Sequence, residues 1–306
     1  MSDQRRSTLL AIALLLLLFG GGAWLALSQM LDRPMPLLPG GDRIAVVPVR
    51  GVIGTSSAPL NALRRYRRQD RVRGVVLEIR SPGGTVGASQ ALYREVRAFR
   101  EDDRPVVAWI GDVGASGGYY TAVAADSIFS LPGSITGSIG VIMQFPDARG
   151  LLEKAGLRVE IVKSGEHKDA GSALRPLDES DREVFQTLVD DTYGQFLDAV
   201  VDGRGLPRDS VRVLADGRVY SGERAARIGL IDGIHDLPGA IDAAGRMAGL
   251  GEDPATVRPD RRRPDWTDLL LEGAGGLVGR AARAWLGTSG PEGASLSSPR
   301  LMYLWR

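Results

Sequence analysis

Cysteine is absent from the 306 residues, and histidine is nearly so, with only His167 and His235. The first absence excludes disulfides, thiolate zinc sites, iron–sulfur clusters and a cysteine nucleophile. The second leaves too few imidazoles for a histidine-rich metal site. Lysine is scarce as well: of 38 cationic side chains only Lys154, Lys163 and Lys168 are lysines, and they fall close together. Arginine does not give up its proton in a protein, whereas a partly buried lysine can. Net charge is also missing, with 38 basic against 37 acidic groups, so the basic footprint of a nucleic-acid binder is not there. Glycine, by contrast, is plentiful at 40 residues, and its clusters call for tight turns and close backbone approaches.

Residues 7–31 carry no charge and centre on a leucine-rich run. About 20 helical residues cross the ~30 Å of a bilayer's hydrocarbon, so the pattern predicts a transmembrane anchor over residues 9–28 behind a short N-terminal segment, 1–8. Ala26, Leu27 and Ser28 have the small-x-small form of a signal-peptidase site, which makes cleavage after Ser28 the alternative. The apolar run exceeds the ~7–15 residues of a signal-peptide core, which favours a retained anchor. Arg5 and Arg6 precede the span while Arg33 and Arg43 follow it, so charge counting does not orient it. Prolines 34, 36 and 39 with Gly40 and Gly41 make a stiff linker over residues 29–42.

From Ile44 the pattern is α/β. Short apolar runs at 44–49, 75–79, 106–110, 127–131 and 159–162 predict buried strands. Helical periods lie between them, at 86–100 and 116–125, in the alternation of a parallel crossover fold. Further on, Ser180 to Glu183 has the form of a capping box, and Val184, Leu188, Phe196 and Val200 mark the buried face of the helix behind it. Ser221 is the expected cap of a short helix that stops at Gly229, and another helix spans 237–248. The run at residues 64–68, four arginines about Tyr66, reads as a solvated helix face rather than a lipid or partner contact. After Gly251 the pattern weakens into a mobile tail, 251–306, with one candidate helix at 266–286.

Three turns carry candidate chemistry. In Ala115-Ser116-Gly117-Gly118-Tyr119-Tyr120 a serine stands between a strand and a helix, where unpaired N–H groups and the helix dipole stabilise negative charge. Gly117 can turn its N–H to an oxyanion; an ordinary N-cap serine is the plainer alternative. The spacing is GxxGxxG, which does not fit the dinucleotide fingerprint. Ser81-Pro82-Gly83-Gly84 follows a buried strand and exposes two glycine amides, the other half of an oxyanion site. Both turns belong at one edge of a parallel sheet, where ligands collect. The third stretch, residues 164–172, holds Glu166, His167, Lys168 and Asp169. A serine needs a base, and His167 with an aspartate or Lys168 alone would serve; sequence position does not choose between them.

Together these motifs resemble the signal peptide peptidase A family of membrane-bound serine peptidases. The likeness covers residues 44–247, with SPGG at 81–84, ASGGYY at 115–120, TGSIGV at 136–141, SGEHKDAGS at 164–172 and GRVYSGERAARIGLID at 217–232. It implies Ser116 as nucleophile and Lys168 as general base, with Gly83 or Gly84 and Gly117 supplying the oxyanion N–H groups. Thr136, Gly137 and Ser138 would hold substrate or orient the lysine, and His167 becomes a bystander. The implied fold is the α/β spiral of strand-strand-helix units shared with ClpP proteases and crotonases, forming a catalytic domain over 43–250. The resemblance further implies an octameric ring in which the serine of one subunit meets the lysine of the next. It places the anchor in the bacterial inner membrane as a single pass, with the N-terminus cytoplasmic and the catalytic domain on the extracytoplasmic side. Substrates would be remnant signal peptides and other unfolded or hydrophobic polypeptides; no metal or organic cofactor is called for, and no nucleic-acid partner. An inactive member acting as a membrane-associated scaffold is the alternative. An acyl-CoA enzyme of the crotonase type is disfavoured by the apolar N-terminal run and the Ser116/Lys168 pair.

Overall fold

The computed structural model describes residues 41–54, 58–259 and 302–304. The expected anchor, linker and 266–286 helix lie outside these residues, save Gly41 and Asp42. Among the described residues no helix is long and apolar enough to cross a membrane. The elements run β1 (Arg43–Arg50), α1 (Ala58–Arg67), β2 (Val72–Ser81), β3 (Gly83–Thr85), α2 (Val86–Glu101), β4 (Val106–Ala115) and α3 (Gly117–Ala122). They continue through β5 (Ser127–Ser130), β6 (Ile135–Gly137), α4 (Arg149–Lys154), a 3-10 turn (Glu166–Asp169), α5 (Glu179–Arg204) and α6 (Arg208–Leu214). The last are β7 (Val219–Ser221), α7 (Gly222–Arg227), β8 (Gly233–Ile234), α8 (Leu237–Met247), β9 (Thr256–Val257) and β10 (Met302–Leu304).

The result is a mixed α/β fold on a sheet of order β7-β6-β4-β2-β1-β9, with β5 and β8 branching from β4. Every pairing in it is parallel except β6 with β7. Strands covered on both faces read as unbroken apolar runs, and β1 shows why. Ile44 and Val46 pack against Ala240 and Ala244 of α8, while Ala45, Val47 and Val49 face the larger core that contains Leu63, Phe99 and Phe196. Strand β4 is the hub. Its first half pairs with β5, from Val107 to Ile110, and its second half, Val113 to Ala115, pairs with β6. The strand therefore delivers residue 116 past the main sheet to the ends of β2 and β6.

The expected strands at 44–49, 75–79, 106–110 and 127–131 all form, and Ser221 caps α7 by accepting from the Arg224 N–H at 3.2 Å. The arginine run lies on α1, where Arg64 and Arg67 reach Glu95 of α2 at 3.2 and 3.4 Å. Three expectations are corrected. Residues 159–162 form no strand, because among the described residues no neighbouring strand offers them a ladder, and Val159, Ile161 and Val162 are exposed. The cap of α5 is Asp178, whose carboxylate accepts from the Asp181 N–H at 2.8 Å, while Ser180 donates to that same carboxylate at 2.8 Å. Of the four α5 residues expected to be buried, Phe196 and Val200 are; Val184 and Leu188 stand half-exposed because this half of the helix extends beyond the core. Beyond residue 250, β9 joins β1 and Arg258 places Nη1 2.7 Å from the buried carboxylate of Glu78, so the folded body continues to that point.

Candidate active site

Ser116 sits where β4 gives way to α3, with φ 52° and ψ −117°. That is not the extended backbone of a helix cap, and the hydroxyl makes no capping hydrogen bond. The plain N-cap reading is thereby excluded. A non-glycine residue with positive φ at a strand-to-helix turn is a strained elbow, the geometry that lifts a nucleophile out of the backbone's plane. The elbow is pinned from both sides: the Ser116 N–H donates to the Gly137 carbonyl at 2.8 Å, and its carbonyl accepts from the Tyr120 N–H at 2.8 Å. Gly117 opens α3, so its N–H has no helical partner.

The SPGG turn lies against this elbow. Ser81 pairs with Gly114 at the ends of β2 and β4, and a Cβ on Gly118 would come within 2.9 Å of the Ser81 carbonyl. Glycine at 118 is thus what lets the two turns close up. At Gly84 a side chain would overlap the Ile53 carbonyl. The Gly83 N–H donates to Ser81 Oγ at 3.1 Å, and the Gly83 carbonyl and Thr85 N–H both face Ile53, each at 2.8 Å. Since amides alternate sides along a strand, those of Gly84 face the opposite edge, where β10 pairs antiparallel with Tyr303 opposite Gly84.

Thr136, Gly137 and Ser138 all arrive at the elbow through β6. Thr136 is fully buried and spends its hydroxyl on the Gly114 carbonyl at 2.8 Å, bracing β4 two residues before the serine. Ser138 also has positive φ and hands its N–H to the Arg218 carbonyl at 2.8 Å. The two tyrosines of ASGGYY are anchors. Tyr119 is buried, donates to the Leu230 carbonyl at 2.7 Å, and burial pushes its phenol pKa up; Tyr120 stacks edge-on to Phe196. Asp232, in the same late motif as Leu230, accepts from the Ile128 N–H at 2.7 Å and pairs with Arg204 at 2.7 Å. A cleft of about 530 Å³ opens beside Ser138, walled by Val141, Ile142, Val189 and Tyr193.

Within one chain the basic candidates do not join this group. His167 is bonded through Nδ1 to Asp181 at 3.0 Å, and Lys168 stands exposed on the 3-10 turn. No hydrogen bond among the described residues joins either of them to Ser116. No group of histidine, aspartate and glutamate among the described residues is arranged to hold a metal ion.

The profile of peptidase family S49 matches residues 98–251, half of the chain. A Synechocystis protein named "Putative protease" is 39% identical over 220 residues, 71% of this chain and 78% of that one. The chain belongs to peptidase family S49. It is a serine peptidase of the signal peptide peptidase A type. The Enterococcus faecium protein named "Putative signal peptide peptidase SppA" is 36% identical across 60% of this chain and 54% of its own length. The chloroplastic serine protease SPPA of Arabidopsis thaliana is 32% identical across 78% of this chain and 37% of its own. The chain thus spans about half or less of these last two relatives. The matched segment contains the elbow, β6 and the lysine turn, while the SPGG turn lies ahead of it.

Proposed function

We propose that this serine peptidase is a membrane-anchored endopeptidase that hydrolyses remnant signal peptides and other unfolded or hydrophobic polypeptides, with Ser116 as nucleophile and Lys168 as general base. The observation that carries the reading is the Ser116 elbow, held in a strained positive-φ conformation beside two glycine turns. Neutral Lys168 takes the serine proton as Oγ attacks the scissile carbonyl. The N–H of Gly117 holds the oxyanion together with an amide of the Gly83–Gly84 pair, that of Gly83 once it leaves Ser81 Oγ or that of Gly84 once β10 gives way. The protonated lysine then passes its proton to the leaving amine, and water cleaves the acyl-enzyme. This chemistry uses neither metal nor organic cofactor.

Two features support a dyad built from adjacent copies in a homo-oligomeric ring, as an octamer. Ser116 is buried in the body of the domain, whereas Lys168 rides on an exposed stretch. That stretch also exposes Leu151, Leu157, Val159, Ile161 and Val162, more clustered apolar surface than a lone chain keeps in water. The β3 edge supports a polypeptide substrate, since it already takes an extended strand in antiparallel pairing. In this proposal the domain continues the strand-strand-helix spiral of ClpP proteases and crotonases. Residues 9–28 anchor it as a single pass in the bacterial inner membrane, with the peptidase on the extracytoplasmic side.

Hydrolysis of fluorogenic apolar peptides by the full chain in detergent tests the assignment. Ser116→Ala and Lys168→Ala should abolish turnover, while His167→Ala, which removes no proton acceptor from the reaction, slows it without abolishing it. Loss with His167→Ala and survival of Lys168→Ala would move the chemistry to a serine–histidine pair.

A further inference from the structure

A connected set of charges around the lysine turn takes no part in the steps above. Asp181, in the first turn of α5, has a side chain 1% exposed. One of its oxygens lies 3.0 Å from His167 Nδ1 and the other 2.5 Å from Arg175 Nη1. The Arg175 Nε lies 3.0 Å from Asp169 Oδ1, and Lys163 Nζ lies 2.7 Å from that same oxygen. Lys163 also donates to the Glu166 carbonyl at 2.6 Å. The Arg175 Nε and the Asp181 oxygen facing Arg175 are not aligned for hydrogen bonding, so attraction of opposite charges is what holds them. Arg175 first and His167 second hold the Asp181 carboxyl down to about 2.

The turn Glu166–Asp169 is therefore tied at three of its four residues: Glu166 through its carbonyl, His167 through its ring and Asp169 through its carboxylate. Lys168 is the fourth. None of the four is buried; backbone bonds from the Lys168 N–H to the Gly165 carbonyl at 3.2 Å and from the Ala170 N–H to the His167 carbonyl at 3.1 Å close the turn, and the charge network ties it to α5. The network also takes up the carboxylate of Asp169, the acidic neighbour of Lys168, so that it is not left free to pair with the lysine.

We propose that Arg175 and Asp181 are positioning residues that clamp the 3-10 turn and present the Lys168 amine to the serine it serves. The proposal rests on the reading of Lys168 as the base. A base displaced by about 1 Å costs on the order of 100-fold in rate, so a clamp remote from substrate acts on turnover more than on binding.

The test uses the full chain in detergent, with Arg175→Gln, Arg175→Lys, Asp181→Asn and Lys168→Ala beside the parent. For each, kcat and KM on one fluorogenic peptide, the rate of Ser116 labelling by a fluorophosphonate, and particle size are measured. Arg175→Gln and Asp181→Asn should lower kcat and labelling by about 10- to 100-fold, with KM within about twofold and particle size unchanged. Arg175→Lys, which keeps the charge near both carboxylates, should recover much of the loss. The proposal is overturned if kcat stays within about twofold of the parent, if KM or particle size changes along with kcat, or if Arg175→Lys is no better than Arg175→Gln. Lys168→Ala separates the two readings. If it is inactive while Arg175→Gln is fully active, only the clamp falls; if it stays active, the assignment of the base falls, and the clamp with it.

Discussion

At Ser116 the backbone holds φ 52° and ψ −117°, a conformation that costs a residue bearing a Cβ about 1–3 kcal/mol. Glycine escapes that cost but loses roughly 0.4–1 kcal/mol through its freer unfolded chain. The difference favours glycine, so Ser116→Gly should be about 1 kcal/mol more stable than Ser116→Ala, roughly 2–4 °C in melting midpoint, while both are dead as peptidases. A glycine variant melting at or below the alanine variant would show that the elbow is relaxed. The sequence made this serine legible because strand, glycine turn and helix occur in order, but it left an N-cap serine open, and only the observed conformation closed that alternative. At Ser180 the local rules failed. Asp178, Ser180 and Asp181 are all acceptable helix-start residues within four positions; both oxygens of Asp181 are engaged by Arg175 and His167, while Asp178 meets Arg175 through one oxygen at 3.2 Å and caps with the other. No local pattern encodes that long-range claim on a side chain.

At the scale of elements, β4 and the strands beside it were readable from their apolar runs, while α5 was readable only in part. Its C-terminal half is wedged against the end of α3, and Gly203 is the point of contact, where a Cβ would overlap the Val123 carbonyl. Alanine is the better helix former by about 1 kcal/mol, yet overpacking against backbone costs about 1–3 kcal/mol. The steric cost prevails, so Gly203→Ala should lower stability by about 1 kcal/mol in chemical denaturation, and a stabilised variant would mean that the two helices can slide apart. The exposed half of α5 and residues 159–162 have the hydrophobic periods of buried elements, but nothing among the described residues covers them. A periodicity argument sees that a face is apolar and not which molecule covers it. The pairing of β10 with β3 was hidden for a different reason, since a three-residue strand, Met302–Leu304, carries no readable period. Because it occupies the edge that faces away from Ile53, deleting residues 302–306 should lower KM for extended peptides, with kcat little changed. An unchanged KM would mean that substrate uses another edge.

For the whole molecule, the telling fact is the placing of the two members of the proposed dyad, with the serine inside the domain and the lysine on an exposed turn. Ser116 stood out as a serine at a glycine elbow, whereas Lys168 and His167 were both candidate bases by position and the family resemblance pointed to the lysine. Composition and spacing do not say whether one chain or two supplies them; the resemblance implies two. Subunit mixing decides this. With the proposed dyad, Ser116→Ala and Lys168→Ala chains should each be inactive when assembled alone. In a random equal mixture with the dyad shared between neighbours, about a quarter of the interfaces bring an intact serine against an intact lysine, and activity should return to roughly that fraction of the parent. If one chain supplied both groups, every site in the mixture would lack one of them and activity would stay at the level of the separate variants. Val162→Asp in the Ser116→Ala chain, which supplies the lysine stretch at every restored site, sharpens the result. Val162 is fully exposed, so the change leaves the fold of the single chain intact. If this apolar stretch seals the contact between copies, the added charge must be desolvated there, and the restored activity should fall together with particle size.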